Sequence, residues 1–212
     1  DSMYVDGRLP GDFGERHKVS GLPTMQFTAT GVVPDLSQCL TLEPKMAGDL
    51  VYVIGTTGNE LGGSEYYELL GYVGLNVPKV RPSEFRPVYQ ALERAIALGL
   101  TASCHGIYRG GLGVHAALMS FGSGMGMRLD LQAVPTQEDD LPNDRILFSE
   151  SCGRFIVTIA PSEKSRFETV FNGLPCALVG EIIQEPRLIV RDRAGNILLD
   201  ADVRSLKHHW QS

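Results

Sequence analysis

Leu50-Val51-Tyr52-Val53-Ile54-Gly55 is an unbroken apolar run ending on glycine, and Asn59-Glu60-Leu61-Gly62-Gly63-Ser64-Glu65-Tyr66-Tyr67 follows shortly after it. The first stretch reads as a buried strand. The second reads as a glycine-bearing loop that opens a short helix at Ser64, whose hydroxyl caps the first turn, with an end near Gly71. Backbone N–H groups at a helix start attract anions, and glycines let a ligand approach the main chain closely. Gly62, Gly63 and Ser64 are therefore candidates for contacting a phosphate or a carboxamide, with a plain helix cap as the alternative. Glu60 and Glu65 oppose a bare phosphate unless a cation offsets them.

Working outward, residues 5–23 are polar and punctuated by Gly7, Pro10, Gly11, Gly14, Gly21 and Pro23, which predicts a loop. Met25 to Val33 alternates and then meets Pro34, which predicts a strand with a proline stop. Phe85, Val88, Tyr89, Leu92 and Ile96 recur at helical spacing behind Ser83, so the longest helix is expected from Ser83 to Gly99. A strand at Leu100–Cys104, a helix at Leu112–Phe121 and a strand at Met127–Leu131 follow. Residues 133–145 are the most loop-like stretch. Arg154–Ile159 reads as a strand, Ser162 as the cap of a helix closed by Asn172-Gly173, and Ala177–Ile183 and Arg187–Val190 as strands. A turn at 193–196 leads to Ile197-Leu198-Leu199 and a short helix from about Asp202. Strands and helices mix without strict alternation, so the fold class is α/β with α+β character: a mixed β-sheet with helices packed on its faces.

The chain has 212 residues, 43% of them hydrophobic and 21% charged, the composition of an ordinary globular protein. A net charge of −6 without any basic stripe disfavours a nucleic-acid surface. No apolar stretch reaches membrane-spanning length, and no signal peptide is visible. Cys39, Cys104, Cys152 and Cys176 are scattered without C-x-x-C spacing, which predicts buried free thiols in a reducing cytoplasm, with a zinc site as the remote alternative. His208-His209 reads as a frayed tail. Ser149 lacks the flanking glycines of a nucleophile elbow, so no catalytic residue is assigned.

Three further segments carry a family likeness: His105-Gly106-Ile107-Tyr108-Arg109-Gly110-Gly111-Leu112 running on to Phe121; Leu147-Phe148-Ser149-Glu150-Ser151 ahead of Arg154-Phe155-Ile156-Val157; and the opening Asp1-Ser2-Met3-Tyr4. With Asn59–Tyr67, in this order and over nearly the whole chain, they resemble the C-terminal part of the phosphoribosylformylglycinamidine synthase family. The resemblance implies an aminoimidazole-ribonucleotide-synthetase-like C-terminal domain over residues 48–212. Residues 1–47 would then be the tail of a preceding synthetase domain and a linker. It implies a cytoplasmic carbon–nitrogen ligase of purine biosynthesis. Such an enzyme phosphorylates the amide oxygen of formylglycinamide ribonucleotide with ATP and lets ammonia displace the phosphate to form the amidine. ATP and magnesium are the parent enzyme's cofactors; its partners are the ribonucleotide substrate, upstream synthetase domains and a glutaminase.

Residue by residue, the family's binding loop Gly-[Asn/Lys]-x-Ser-[Met/Leu]-Tyr places Asp1 at x and makes Ser2 the substrate serine. The resemblance also puts Gly62, Gly63, Ser64, Ser149 and Ser151 near the substrate. The chain departs from the family pattern His-Asp-[Ile/Val]-Ser-[Asp/Glu]-Gly-Gly-Leu, because Gly106, Tyr108 and Arg109 replace the Asp, the Ser and the acid. Arg109 cannot ligate a cation, so no metal is expected at 105–111; a directly bound phosphate or a surface ion pair are the options for it. Since the chain starts inside the binding loop, it is expected to fold without catalysing. The alternatives are another ATP-dependent synthetase or kinase of the same superfamily, or a non-catalytic binding module.

Overall fold

The computed structural model describes residues 6–10, 16–20, 26–33 and 35–212. The chain falls into two compact units, Asp1–Leu36 and Ser37–Ser212. In the first, β1 (Asp6–Pro10) pairs antiparallel with β2 (Arg16–Ser20), where the glycines and prolines predict only a loop. Residues 26–33 are exposed and irregular instead of forming the expected strand. An alternating pattern makes a strand only where a neighbour completes its hydrogen bonds and one face is buried. Phe27 and Val32 have 82% and 92% of their surface in solvent, so that condition is not met.

The second unit is built on a seven-stranded sheet of order β4-β6-β3-β7-β5-β8-β9. Its strands are β3 (Leu50–Ile54), β4 (Ser103–Ile107), β5 (Gly126–Asp130), β6 (Arg154–Ile159), β7 (Cys176–Ile183), β8 (Arg187–Arg191) and β9 (Ile197–Asp202). Every pairing is antiparallel except β5 with β8. β3 is an interior strand, flanked by β6 and β7. Its period-two alternation divides the core: Val51 and Val53 face one side, Tyr52 and Ile54 the other, all at most 1% exposed.

The first face is covered by α3 (Gly111–Ser123) and α4 (Asn143–Phe148), through Leu112, Ala116, Met119, Ile146 and Leu147, with Leu206 of α6 (Val203–Gln211) packed alongside. The second is covered by α2 (Pro82–Ala97) and α5 (Lys164–Val170), through Val88, Leu92, Ala95 and Phe167. Tyr52 packs on Phe167 at 4.9 Å between ring centroids and donates to Glu168 Oε1 at 2.8 Å. The short α1 (Glu65–Leu69) follows the glycine loop.

Several local expectations shift by a few residues. α2 starts at Pro82, which takes the first helical position where its missing N–H costs nothing. Asp202 caps α6 by accepting from Ser205 N, while Ser162 lies in a 3₁₀ turn and caps nothing. Residues 143–145 of the expected loop are helical, as the first turn of α4. The four cysteines are unpaired, but Cys39 and Cys152 are exposed and only Cys104 and Cys176 are partly buried. His208 and His209 lie in α6.

Candidate functional site

Strand direction gathers the motifs at one end of the sheet. β3 and β4 both run antiparallel to β6, so their C-terminal ends lie beside the N-terminal end of β6. The loop after β3 (residues 55–64), the segment after β4 (residues 108–110) and the segment before β6 (residues 149–153) therefore meet.

The segment before β6 holds the other two through a buried polar cluster. Ser149 and Ser151 are at most 1% exposed. Gly58 N–H donates to Ser151 Oγ at 3.0 Å, Ser149 Oγ donates to the Gly58 carbonyl at 2.7 Å, and the two hydroxyls lie 3.1 Å apart. The two serines thus grip one residue of the loop after β3 by both its main-chain groups. Between them, Glu150 Oε1 accepts from Gly110 N at 2.8 Å and from Glu65 N at 3.0 Å. One carboxylate therefore joins the start of α1 to the turn that begins α3, where backbone N–H groups lack helical partners.

Arg154 lies beneath this arrangement with 1% of its surface exposed. Its guanidinium donates to the Ser151 carbonyl at 3.0 Å, to Thr57 Oγ1 at 2.9 Å and to the Ser149 carbonyl. Burial lowers its pKa to about 10, still high enough to keep it charged at neutral pH. Glu60, 1% exposed, accepts from Arg81 at 2.8 Å through Oε1, while its Oε2 is buried without a hydrogen-bond partner. From sequence, Arg154 is assigned only to a strand. A cation heading the otherwise apolar run Arg154-Phe155-Ile156-Val157 is the signal that something buried awaits it.

The glycine loop is internally paired. Gly62 N–H donates to Asn76 O at 2.8 Å, Gly63 N–H to Val73 O at 2.7 Å and Ser64 N–H to Leu61 O at 3.1 Å. Ser64 is fully buried; its hydroxyl donates to Leu61 O at 2.7 Å and accepts from Tyr67 N, capping α1. Gly63 is the exposed member and has open space on its Cβ side. Ser2 lies outside the described residues.

Arg109 extends into solvent and pairs with Glu65, with Glu68 at 3.8 Å. Tyr108 lies over Gly106: a Cβ at 106 would come within 2.2 Å of the Tyr108 ring. The two departures from the family pattern are thus sterically coupled, since the ring fills the space that a side chain at 106 would take. Among the described residues, no three His, Cys, Asp or Glu side chains gather as a metal-binding group. With no ligand at 106 and a cation at 109, the donor set at 105–111 does not fit magnesium.

His105 and His115 share a hydrogen bond, Nε2 to Nδ1 at 2.9 Å, and the Tyr108 ring stands edge-on to both. His115 is 6% exposed, and its Nε2 is buried without a partner. Burial, reinforced by His105, lowers the His115 pKa to about 4, and burial lowers that of His105 as well. Both rings are therefore neutral in the fold at neutral pH, while in the unfolded chain they take up protons near pH 6.5. The unfolded state binds more protons below that pH, so stability is full above 6.5 and is lost as the pH falls towards 4. By pH 5, His115 alone removes about 2 kcal/mol. Urea denaturation at pH 7 and pH 5 checks this: His115→Gln is expected to flatten the pH dependence, and an unchanged slope would refute the assignment.

Residues 46–193 match the family model "AIR synthase related protein, C-terminal domain". The chain is 32% identical over 194 residues to phosphoribosylformylglycinamidine synthase subunit PurL of Methanothrix thermoacetophila, covering 90% of this chain and 24% of that protein. To the same subunit of Thermococcus sibiricus it is 29% identical over 209 residues, covering 99% of this chain and 28% of that protein. It spans roughly a quarter of the length of these relatives. Thermotoga maritima PurL complexed with FGAR superposes with a TM-score of 0.71 at 22% identity, over 81% of this chain and 30% of that one, a likeness of fold. The matched span takes in all seven strands of the sheet except β9 and all three converging motifs, and on that ground the chain belongs to the family of AIR synthase related proteins, as their C-terminal domain.

Proposed function

We propose that this chain serves as the C-terminal domain of an ATP-dependent, amidine-forming carbon–nitrogen ligase of the phosphoribosylformylglycinamidine synthase type. The observation that carries the reading is the likeness to the Methanothrix subunit over 90% of the chain, with the motifs that bear it meeting at one end of the sheet. Residues 1–47 belong, in this reading, to the tail of the preceding synthetase domain. The cytoplasm is the compartment, and a glutaminase supplies the ammonia.

The domain's contribution is to shape one wall of the substrate site. Ser149, Glu150, Ser151 and Arg154 fix the loop after β3 and the turn before α3 in one arrangement. The ribonucleotide meets this wall at Gly63, the solvent-facing member of Gly62-Gly63-Ser64; Ser2 belongs, in this reading, to the family's binding loop. Ser149 and Ser151 act from beneath by holding Gly58. The phosphate competes with Glu65 and Glu68 for the exposed Arg109 guanidinium, a contact of charge-assisted strength. ATP activates the amide in such enzymes, with magnesium offsetting phosphate charge; the general base and the metal carboxylates belong to segments other than the described residues.

The isolated chain is accordingly expected to fold and remain silent in a coupled ADP-release assay with formylglycinamide ribonucleotide, ATP, magnesium and ammonia. Robust turnover would overturn the division of labour. Binding provides the positive arm: formylglycinamide ribonucleotide should titrate into the chain weakly in calorimetry, and Arg109→Gln should weaken it further. No heat at any concentration would remove the substrate wall from this domain.

A further inference from the structure

On the α2 side of the same sheet end lies a cleft of about 190 Å³ that none of Gly62, Gly63, Ser64, Ser149, Ser151 or Arg109 lines. Its apolar wall is formed by Val80, Phe85, Val88 and Pro175. Charge is contributed by Lys79 and Arg81 of one sign and Glu84 of the other. Arg81 is the non-helical residue immediately before α2, and Glu84 lies in the first turn of that helix; both line the cleft. Arg81 is fixed on its inner side by Glu60, and Lys79 is held by Asn76 Oδ1 at 3.1 Å. Thr56 and Gln137 complete the rim with hydrogen-bonding groups.

Size restricts the occupant. Pockets for drug-sized ligands run to roughly 300–1,000 Å³, so this cleft is too small for a nucleoside triphosphate and suits a body of about one ring. Charge restricts it further. Two cations and one carboxylate around an apolar wall match a small molecule that carries both an anionic and a cationic group beside an apolar side chain. A polyphosphate would face Glu84, and an uncharged hydrocarbon would leave all three charges without a partner in the ligand.

We propose that this cleft is a binding site for a free α-amino acid with an apolar side chain. The carboxylate lies towards Lys79 and Arg81, the ammonium group towards Glu84, and the side chain against Phe85 and Val88. The inference stands on the cleft itself and is independent of the reaction assigned to the parent enzyme. It also links occupancy to the polar cluster, because Arg81 is held by Glu60.

Cys152 lines the cleft and is exposed, whereas Cys39 is exposed and does not line it. The full chain can therefore be alkylated with iodoacetamide and the rate at each cysteine read by mass spectrometry, with Cys39 as internal control. L-Phenylalanine at about three times its dissociation constant, expected in the millimolar range, should slow Cys152 about fourfold and leave Cys39 unchanged. Hydrocinnamate, which lacks the ammonium group, and phenethylamine, which lacks the carboxylate, should protect less. Lys79→Gln and Glu84→Gln, both at exposed positions, should each weaken protection by L-phenylalanine about two- to fivefold. The proposal is overturned if L-phenylalanine leaves the Cys152 rate unchanged, if Cys39 slows equally, or if either one-charge analogue protects as well as the amino acid.

Discussion

Arg154→Met is expected to lower the melting temperature by about 6–20 °C. The side chain is buried, charged and donates to three acceptors: two carbonyls of the segment before β6 and the Thr57 hydroxyl. Burying a cation costs several kcal/mol by itself, so the cluster is a poor source of stability as a whole. Removing one member is different. It strands the three acceptors and leaves the buried Glu60 carboxylate with Arg81 as its remaining cation, a loss of about 3–5 kcal/mol. For a chain of this size, each kcal/mol moves the midpoint by about 2–4 °C. Arg154→Lys keeps the charge but not the planar fork, and should fall between wild type and Arg154→Met. Differential scanning calorimetry reads the result; a shift of about 2 °C or less for Arg154→Met would mean that the three loops hold together without it.

Gly111→Ala is the second large effect. Gly111 opens α3 at φ +73°, and a Cβ there would stand 2.6 Å from the Leu147 carbonyl oxygen and 2.7 Å from Phe148 Cα. The left-handed conformation costs an alanine about 1–2 kcal/mol, and the collision, being with main chain, adds about 1–3 kcal/mol. α4 must move, and with it the Phe148 ring that stacks on Tyr66 at 4.8 Å. The change should therefore loosen α1 as well as destabilise the fold, visible as faster amide exchange at Tyr66 and Tyr67. Gly113→Ala is the matched control. Its Cβ would meet neighbours at 3.5 Å, an ordinary contact, and a helix-interior alanine should be neutral or stabilising by up to about 1 kcal/mol. Equal destabilisation by both changes would show that helix propensity, not the close approach of α3 and α4, governs this segment.

Features written in local chemistry are legible in the sequence itself. β6 has the bounds that its apolar run predicts, Ser64 caps the helix assigned to it, a helix starts where one is expected near Asp202, and the family likeness of the motifs leads to the observed fold class. Periodicity and capping act within a turn or two, so a single stretch of sequence contains them. The hairpin β1–β2 and the irregular segment 26–33 invert their sequence expectations for the complementary reason. Whether a strand forms depends on a partner that local pattern does not name.

The arrangement of the candidate site was decided by tertiary structure alone. Phe148-Ser149-Glu150-Ser151 is recognisable as a motif, but its partners are Gly58, Glu65 and Gly110, up to 93 residues away. Only the antiparallel placement of β6 between β3 and β4 brings them within hydrogen-bond distance. In the same way Arg109 is a lone charge in the sequence, and the fold supplies Glu65 and Glu68 as its partners. Residue type fixes which bonds a group is able to make, and strand order fixes which group it meets. The sequence by itself therefore determined most of the elements of the second unit and the family, whereas the chain's folding decided that two serines, a glutamate and a buried arginine would be spent on holding one loop in place.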